Sequence, residues 1–293
     1  MEIDVKNRNM QKGKGSFQLF KWASMLVVVA PLLVGAQGEV WAEEKEKEEK
    51  KSGSAGFRVG SWRNWLFRSF LQDKGDDANT LGLEFENYIS LGDYEIKNIT
   101  YFEVARHPRA IPGQPPGNPF PGFEDAFGIN DILAGFWFSK KDPHHGKHHF
   151  APGLAMQFPT ASSITLGSGK WSIGPSVDYE YEDGNLFAGA IALQVWSFAG
   201  DRERKSVSML MIKPFLYYTI AEDWDLTYVP YGISVYWNKD PGEKVYLPLG
   251  GGIQRGFQLD SVQLNLGVQL FRNVIRPTKG TVWDLRGLVE FSF

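Results

Sequence analysis

His144, His145, His148 and His149, grouped around Gly146-Lys147, are the densest set of metal-capable side chains in the chain. Imidazoles at this density hold zinc or copper, or change charge near mildly acidic pH. A closed metal site also requires fixed ligand geometry, which a turn of Gly, Lys and Pro does not supply. Transient surface binding, or no role, is the competing reading, and no cofactor is expected. Gly167-Ser168-Gly169-Lys170 has the look of a phosphate-binding loop. It lacks the first glycine at the required spacing, and a strand follows where a helix N-terminus is needed. It reads instead as a flexible hairpin loop. A third chemistry, lipid hydrolysis by serine and histidine, would draw on His107 with Ser162 or Ser163. Nothing in the spacing brings nucleophile and base together or orients the base. No catalytic residue is assigned, and the chain is not expected to be an enzyme.

A larger constellation emerges from period-two alternation. In the last segment Leu285, Gly287, Val289, Phe291 and Phe293 share one face, while Asp284, Arg286, Glu290 and Ser292 share the other. The same split holds for Val262, Leu264, Leu266, Val268 and Leu270 against Gln263, Asn265 and Gln269. It recurs in Trp171, Ile173, Pro175, Val177 and Tyr179 against Ser172, Ser176, Asp178 and Glu180. With the apolar faces turned to lipid, the interior gathers Glu84, Glu86, Gln157, Asp178, Glu180, Gln194, Lys213, Tyr217, Gln263, Asn265, Gln269, Asp284, Arg286 and Glu290. Met209, Met211 and Phe215 join Tyr217 as an apolar strip beside Lys213. These polar groups either satisfy one another and partly close the interior, or form a constriction that selects solutes.

The elements that position them are strands near 60–72, 79–90, 94–105, 126–138, 148–160, 169–182, 185–198, 206–219, 224–237, 244–256, 260–271 and 281–293, with turn signals between them. The first is the weakest, because Trp62, Trp65, Leu66 and Phe70 also fit one face of a short helix. Strands 94–105 and 126–138 have ambiguous faces. Connections alternate in length. Leu91–Asp93, Asp183–Gly184, Ala221–Asp223 and Phe257–Leu259 are short, whereas Arg106–Asp125, Ala161–Ser168, Ala199–Lys205 and Arg272–Gly280 are long. Ser139–Lys147 breaks the rule. Trp196, Phe198, Tyr217, Tyr218, Trp224, Tyr236 and Trp237 near strand ends suit an interfacial girdle.

The expected fold is therefore an all-β, transmembrane, antiparallel up-and-down β-barrel of about twelve strands, or ten if 60–72 is a helix or plug. A soluble sandwich or lipocalin-like barrel would show the same alternation. Lys6, Arg8, Lys12, Lys14 and Lys21 precede an apolar run from Trp22 to Val34, then small residues to Ala42, which reads as a secretory signal over 1–42. A charged periplasmic linker, 43–58, and the barrel, 59–293, follow. The terminal Phe293 suits recognition of the last strand by barrel-assembly machinery. Aromatics make up 14% of the 293 residues, and mean hydropathy is −0.28, which suits an apolar outside around a wet interior. The chain has no cysteine, which excludes disulfides and thiol chemistry. Its net charge of −3 argues against nucleic acid. The prolines between Pro108 and Pro121 stiffen the longest loop into a lid or a cover.

Phe158-Pro159-Thr160-Ala161-Ser162, followed by Leu166-Gly167-Ser168-Gly169-Lys170-Trp171-Ser172-Ile173-Gly174-Pro175, resembles a bacterial outer-membrane family. That family is named for a meta-pathway of phenol degradation, and its members are often labelled "transporter" or "neuromedin U". Gly128-Ile129-Asn130-Asp131, Val195-Trp196-Ser197-Phe198-Ala199-Gly200-Asp201 and Leu247-Pro248-Leu249-Gly250 match as well, and the likeness covers roughly residues 60–293. The resemblance implies an outer-membrane barrel of a Gram-negative-type bacterium, surrounded by lipid, that passes small hydrophobic or aromatic compounds without a catalytic motif. Two alternatives stay open: a non-conducting structural or adhesion barrel, and an outer-membrane lipid hydrolase.

Overall fold

The structure, a computed structural model, describes residues 55–70, 78–107, 125–141, 146–278 and 280–293. The signal and linker readings up to residue 54, the proline-rich stretch 108–121, and His144 and His145 lie outside the described residues.

Alternation of apolar and polar residues produces strands, and strands in lipid must pair on both edges. The described strands do so, apart from short breaks within two staves. They are β1 (Ala55–Phe70), β2 (Ala78–Leu91), β3 (Tyr94–His107), β4 (Ala126–Ile129), β5 (Ile132–Lys140), β6 (His148–Phe158) and β7 (Lys170–Asp183). They continue with β8 (Leu186–Gly200), β9 (Ser208–Ala221), β10 (Trp224–Tyr228), β11 (Ile233–Tyr236), β12 (Val245–Leu259), β13 (Val262–Ile275) and β14 (Trp283–Ser292). All pairings are antiparallel. β14 lies against β1 from Ser61 opposite Ser292 to Phe70 opposite Trp283, and this pairing closes the barrel. β4 and β5 both pair with β3, and β10 and β11 both lie between β9 and β12. Each of these couples is one stave broken in the middle, so the fourteen segments make a twelve-stranded barrel. The ten-stranded fallback does not hold, because β1 is a strand with partners on both sides. It also starts earlier than expected, so Ala55 to Arg58 belong to the barrel rather than to the linker.

Burial follows the period. On β13, Leu266, Val268 and Leu270 stand exposed outside, and Asn265, Gln269, Phe271 and Asn273 are buried inside. Leu285, Trp171, Phe136, Leu154 and Tyr218 continue the exposed apolar surface around the barrel. A surface of this kind is stable only against hydrocarbon. Inside, Trp137 is the largest fully buried side chain, packed with Ile99, Ala151 and Ile191, and its indole donates to Ser176 Oγ at 3.0 Å. That packing fills part of the lumen.

Candidate functional site

Among the described residues, two cavities in the interior bear on function. The one toward the short turns, about 210 Å³, is lined by inward residues of β1, β2, β3, β7 and β9. Arg63 on β1 donates to Glu84 Oε1 at 2.7 Å, pairs with Glu290 across the closing seam, and lies 3.9 Å from Glu86. Lys97 on β3 is 3.0 Å from Asp178 and 2.6 Å from Glu180. Lys213 on β9 sits 3.7 Å from Glu84 and 3.3 Å from the centroid of the Tyr101 ring. Five carboxylates therefore share three cations. Buried charges demand such partners, and the formal surplus is negative.

The other cavity, about 340 Å³, opens toward the long loops. Leu133, Met209, Met211 and Tyr236 give it an apolar wall, and Glu103, His107, Asn130, Asp131 and Asp284 give it a polar one. Between the cavities lies the stretch that interrupts β10 and β11. Val229 and Pro230 face the lower cavity, Gly232 the upper, and Tyr231 both. This septum is held from the opposite wall. Arg286 donates to the Val229 carbonyl at 3.0 Å, Tyr231 hydrogen-bonds Glu103, and Val229 packs on Trp65 and Leu288.

The residues that carry the family resemblance meet at the loop end. The Asp131 carboxylate accepts from Ser168 N at 2.6 Å, Ser168 Oγ at 2.8 Å, Gln157 Nε2 at 3.1 Å and Ala161 N at 3.2 Å. Ser162 Oγ accepts from Ile129 N, and Thr160 Oγ1 from Ile132 N, both at 2.9 Å. Arg204 donates to Ile164 O at 2.7 Å and also to Gly167 O, and Lys170 Nζ donates to Asp201 O. The Gly-Ser-Gly-Lys stretch is thus pinned on several sides, which corrects the expectation of a flexible loop. The Ser168 hydroxyl is taken up by the Asp131 carboxylate and the Lys170 ammonium by the Asp201 carbonyl.

Other expectations fall out as follows. Glu84, Glu86, Glu180, Lys213 and Tyr217 line the lower cavity, Gln157 and Asp284 the upper, and Arg286 both. Asp178, Asn265, Gln269 and Glu290 are buried inward. Asn265 donates to Glu290 at 3.1 Å and Gln269 to Thr227 at 2.7 Å, so that sector of the lumen is occupied by its own side chains. Gln263 shares the inward face and donates to Asn265 Oδ1 at 3.2 Å. Gln194 was expected inside and is not. The inward residues of β8 are Ile191, Leu193 and Val195, and Gln194 lies outside with its Oε1 accepting from exposed Trp237 at 2.8 Å. Of the girdle aromatics, Tyr217 and Tyr236 turn inward instead.

The hydrolase geometry is not formed. Ser163 Oγ is bonded to Thr165 Oγ1 at 2.9 Å, Ser162 is occupied as above, and no hydrogen bond joins either to His107 among the described residues. His148 and His149, adjacent in a strand, face opposite sides of the wall. His148 Nδ1 lies 2.8 Å from the Tyr179 hydroxyl. Among the described residues no group of three or more side chains could hold a metal ion.

Sequence reasoning missed Arg63, Lys97, Tyr101, Glu103 and Tyr231. Arg63 sits in the segment that also fits a short helix and Lys97 in one with ambiguous faces, and a lone cation at an inward position was the available signal.

No protein-family model matches the chain, and no curated protein does. Among solved structures, the COG4313 outer membrane channel from Pseudomonas putida F1 superposes with a TM-score of 0.55 at 10% identity, covering 82% of this chain and 95% of that one. A TodX monoaromatic hydrocarbon channel mutant matches with a TM-score of 0.34 at 10% identity, over 84% of this chain and 91% of that one. A Pseudomonas aeruginosa FadL homologue gives 0.34 at 11% identity, over 81% and 77%. The first match shares the barrel fold with this chain.

Proposed function

We propose that this protein is an outer-membrane channel for passive passage of small hydrophobic or aromatic molecules, working without a cofactor or a chemical step. The observation that carries this reading is the upper cavity, about 340 Å³, whose apolar wall of Leu133, Met209, Met211 and Tyr236 faces polar groups across the space. Concave sites of this mixed character take apolar solutes and orient them through a few polar contacts. The exposed apolar belt supports placement in lipid, and the fold shared with an outer membrane channel agrees with it. Export through a cleaved signal over 1–42 and insertion directed by the strand ending at Phe293 complete the proposal. The second reading, a closed structural or adhesion barrel, is favoured by one feature, the septum across the axis.

The test is flux of phenol-sized and sugar-sized solutes into liposomes carrying the refolded protein. The aromatic is expected to pass and the sugar to be held back. Equal passage of both would make the protein a general pore, and passage of neither would favour the closed barrel. In the same vesicles, Lys213→Glu adds to a lumen that already carries surplus carboxylate. It is expected to raise cation over anion preference while the barrel still inserts. An unchanged reversal potential would remove Lys213 from the path.

A further inference from the structure

β10 and β11 have kept the room for a continuous strand without filling it. On β9 the partner of Tyr228 is Leu216 and that of Ile233 is Ile212, so Lys213 to Phe215 stand against Val229 to Gly232. On β12 the partner of Thr227 is Gly252 and that of Ser234 is Tyr246, so Leu247 to Gly251 stand against Tyr228 to Ile233. Both flanks are out of step by a single residue, which is the excess of one β-bulge. Val229–Gly232 line the interior cavities instead of the wall, and among the described residues β9 and β12 do not pair across the stretch, so the ladder has a slot one strand wide there.

The slot faces lipid. Leu216, Leu226 and Leu249 around it are exposed on the outer surface. Pro214 and Pro248, one on each edge, bring no N–H to be left unpaired in hydrocarbon. Tyr228, whose ring lies 5.8 Å from that of buried Phe271, donates from its hydroxyl to the Pro248 carbonyl at 3.1 Å.

We propose that Val229–Gly232 is a two-position shutter. Folded in, it shuts the axis between the cavities and leaves the slot as a side exit into lipid for apolar solutes. Returned to the wall, it seals the slot and joins the cavities into one axial path. The same four residues cannot occupy both places, so the two routes exclude each other. The Arg286 and Tyr231 hydrogen bonds hold the inward position. Gly232, at φ +152°, provides a backbone conformation favoured by glycine where the segment rejoins the wall. The identity of the solute rests on the channel reading above, whereas the movement rests on the register.

The chain has no cysteine, so introduced thiols are its only ones. Val229→Cys with Leu288→Cys locks the inward position, where those side chains pack together. Val229→Cys with Phe215→Cys locks the wall position, because those residues become partners if the β10 register runs on. Bilayer conductance and transfer of an apolar naphthylamine dye, in vesicles with a lipopolysaccharide outer leaflet, are measured before and after oxidation. The inward lock is expected to cut ion conductance by about tenfold or more while dye transfer continues. The wall lock is expected to give steady conductance and to cut dye transfer by about tenfold. Reduction should restore both, which separates locking from misfolding. Conductance indifferent to both locks overturns the shutter, as does a wall pair that never cross-links while the inward pair does. An unlocked protein that passes nothing, with a conducting wall lock, would sink the passive-channel reading and support the shutter. A wall lock that is also sealed would overturn the shutter.

Discussion

Two staves of the barrel are broken, and the breaks behave in opposite ways. At Asn130-Asp131, between β4 and β5, the register against β3 also slips by one residue. There the excess stays in the wall: Asn130 N donates to the Glu103 carbonyl at 2.9 Å, and the ladder is patched. Asp131 then uses its carboxylate to gather the loop after β6. At Val229–Gly232 the same one-residue excess ends with four residues in the lumen and a gap behind them. The number of surplus residues is equal, so the difference lies in what the side chains can bond. A carboxylate with four local donors fixes a bulge in place. Val-Pro-Tyr-Gly offers the wall few such bonds, and its hold comes from Arg286 and Glu103 across the barrel.

The largest expected effect comes from removing that carboxylate. Asp131→Ala strands the Ser168 and Ala161 N–H groups and is expected to cost about 3 kcal/mol of stability, read as a lower urea midpoint in lipid vesicles. A midpoint equal to wild type would mean that the loop is held elsewhere. Next comes a paired substitution that compares the breaks directly. A Cβ at Gly128, where φ is +155°, would lie 1.9 Å from Ser162 Oγ, whereas at Gly232 the nearest atom, Met211 Cγ, would be 3.1 Å away. Gly128→Ala should therefore cost about 2 kcal/mol and Gly232→Ala about 1 kcal/mol. Equal losses in the same urea titrations would erase the contrast between a fixed break and a loose one. The smallest effect is expected from Tyr228→Phe, which removes one hydrogen bond worth about 0.5 kcal/mol at the slot. It should raise dye transfer with little change in the midpoint. A drop in transfer would show that this bond does not restrain the slot.

Much of this was legible in the sequence. Period-two alternation in β7, β13 and β14 marked the strands and their faces, because a lipid-facing side chain has little freedom to be polar. The interior was harder. Gln194 was placed inside, although it shares parity with Trp196 and Phe198, which face out. There the period was the better guide than the residue type, since a rim glutamine can bond to a girdle tryptophan. The septum was invisible for a related reason. Val229 and Tyr231 keep the period of a strand running through 224–237, and only Pro230 hinted at a break. Arg63 was passed over because its segment also fits a short helix, and Lys97 because the residues of its strand suit either face. The meeting of Asp131 with Ser168 and Ala161 depends on contacts across three strands, which no local pattern encodes.

Arg63 and Glu290 are direct partners across the seam where the first and last strands join. Because neighbouring residues on a strand face opposite sides, a slip of one position at that seam would set the guanidinium beside Val289 or Phe291. Either misalignment would strand a carboxylate in the lumen and press a cation against a lipid-facing neighbour. Sealing the cylinder is then a step with a built-in proofreader: an ion pair that forms in one alignment and penalises its neighbours.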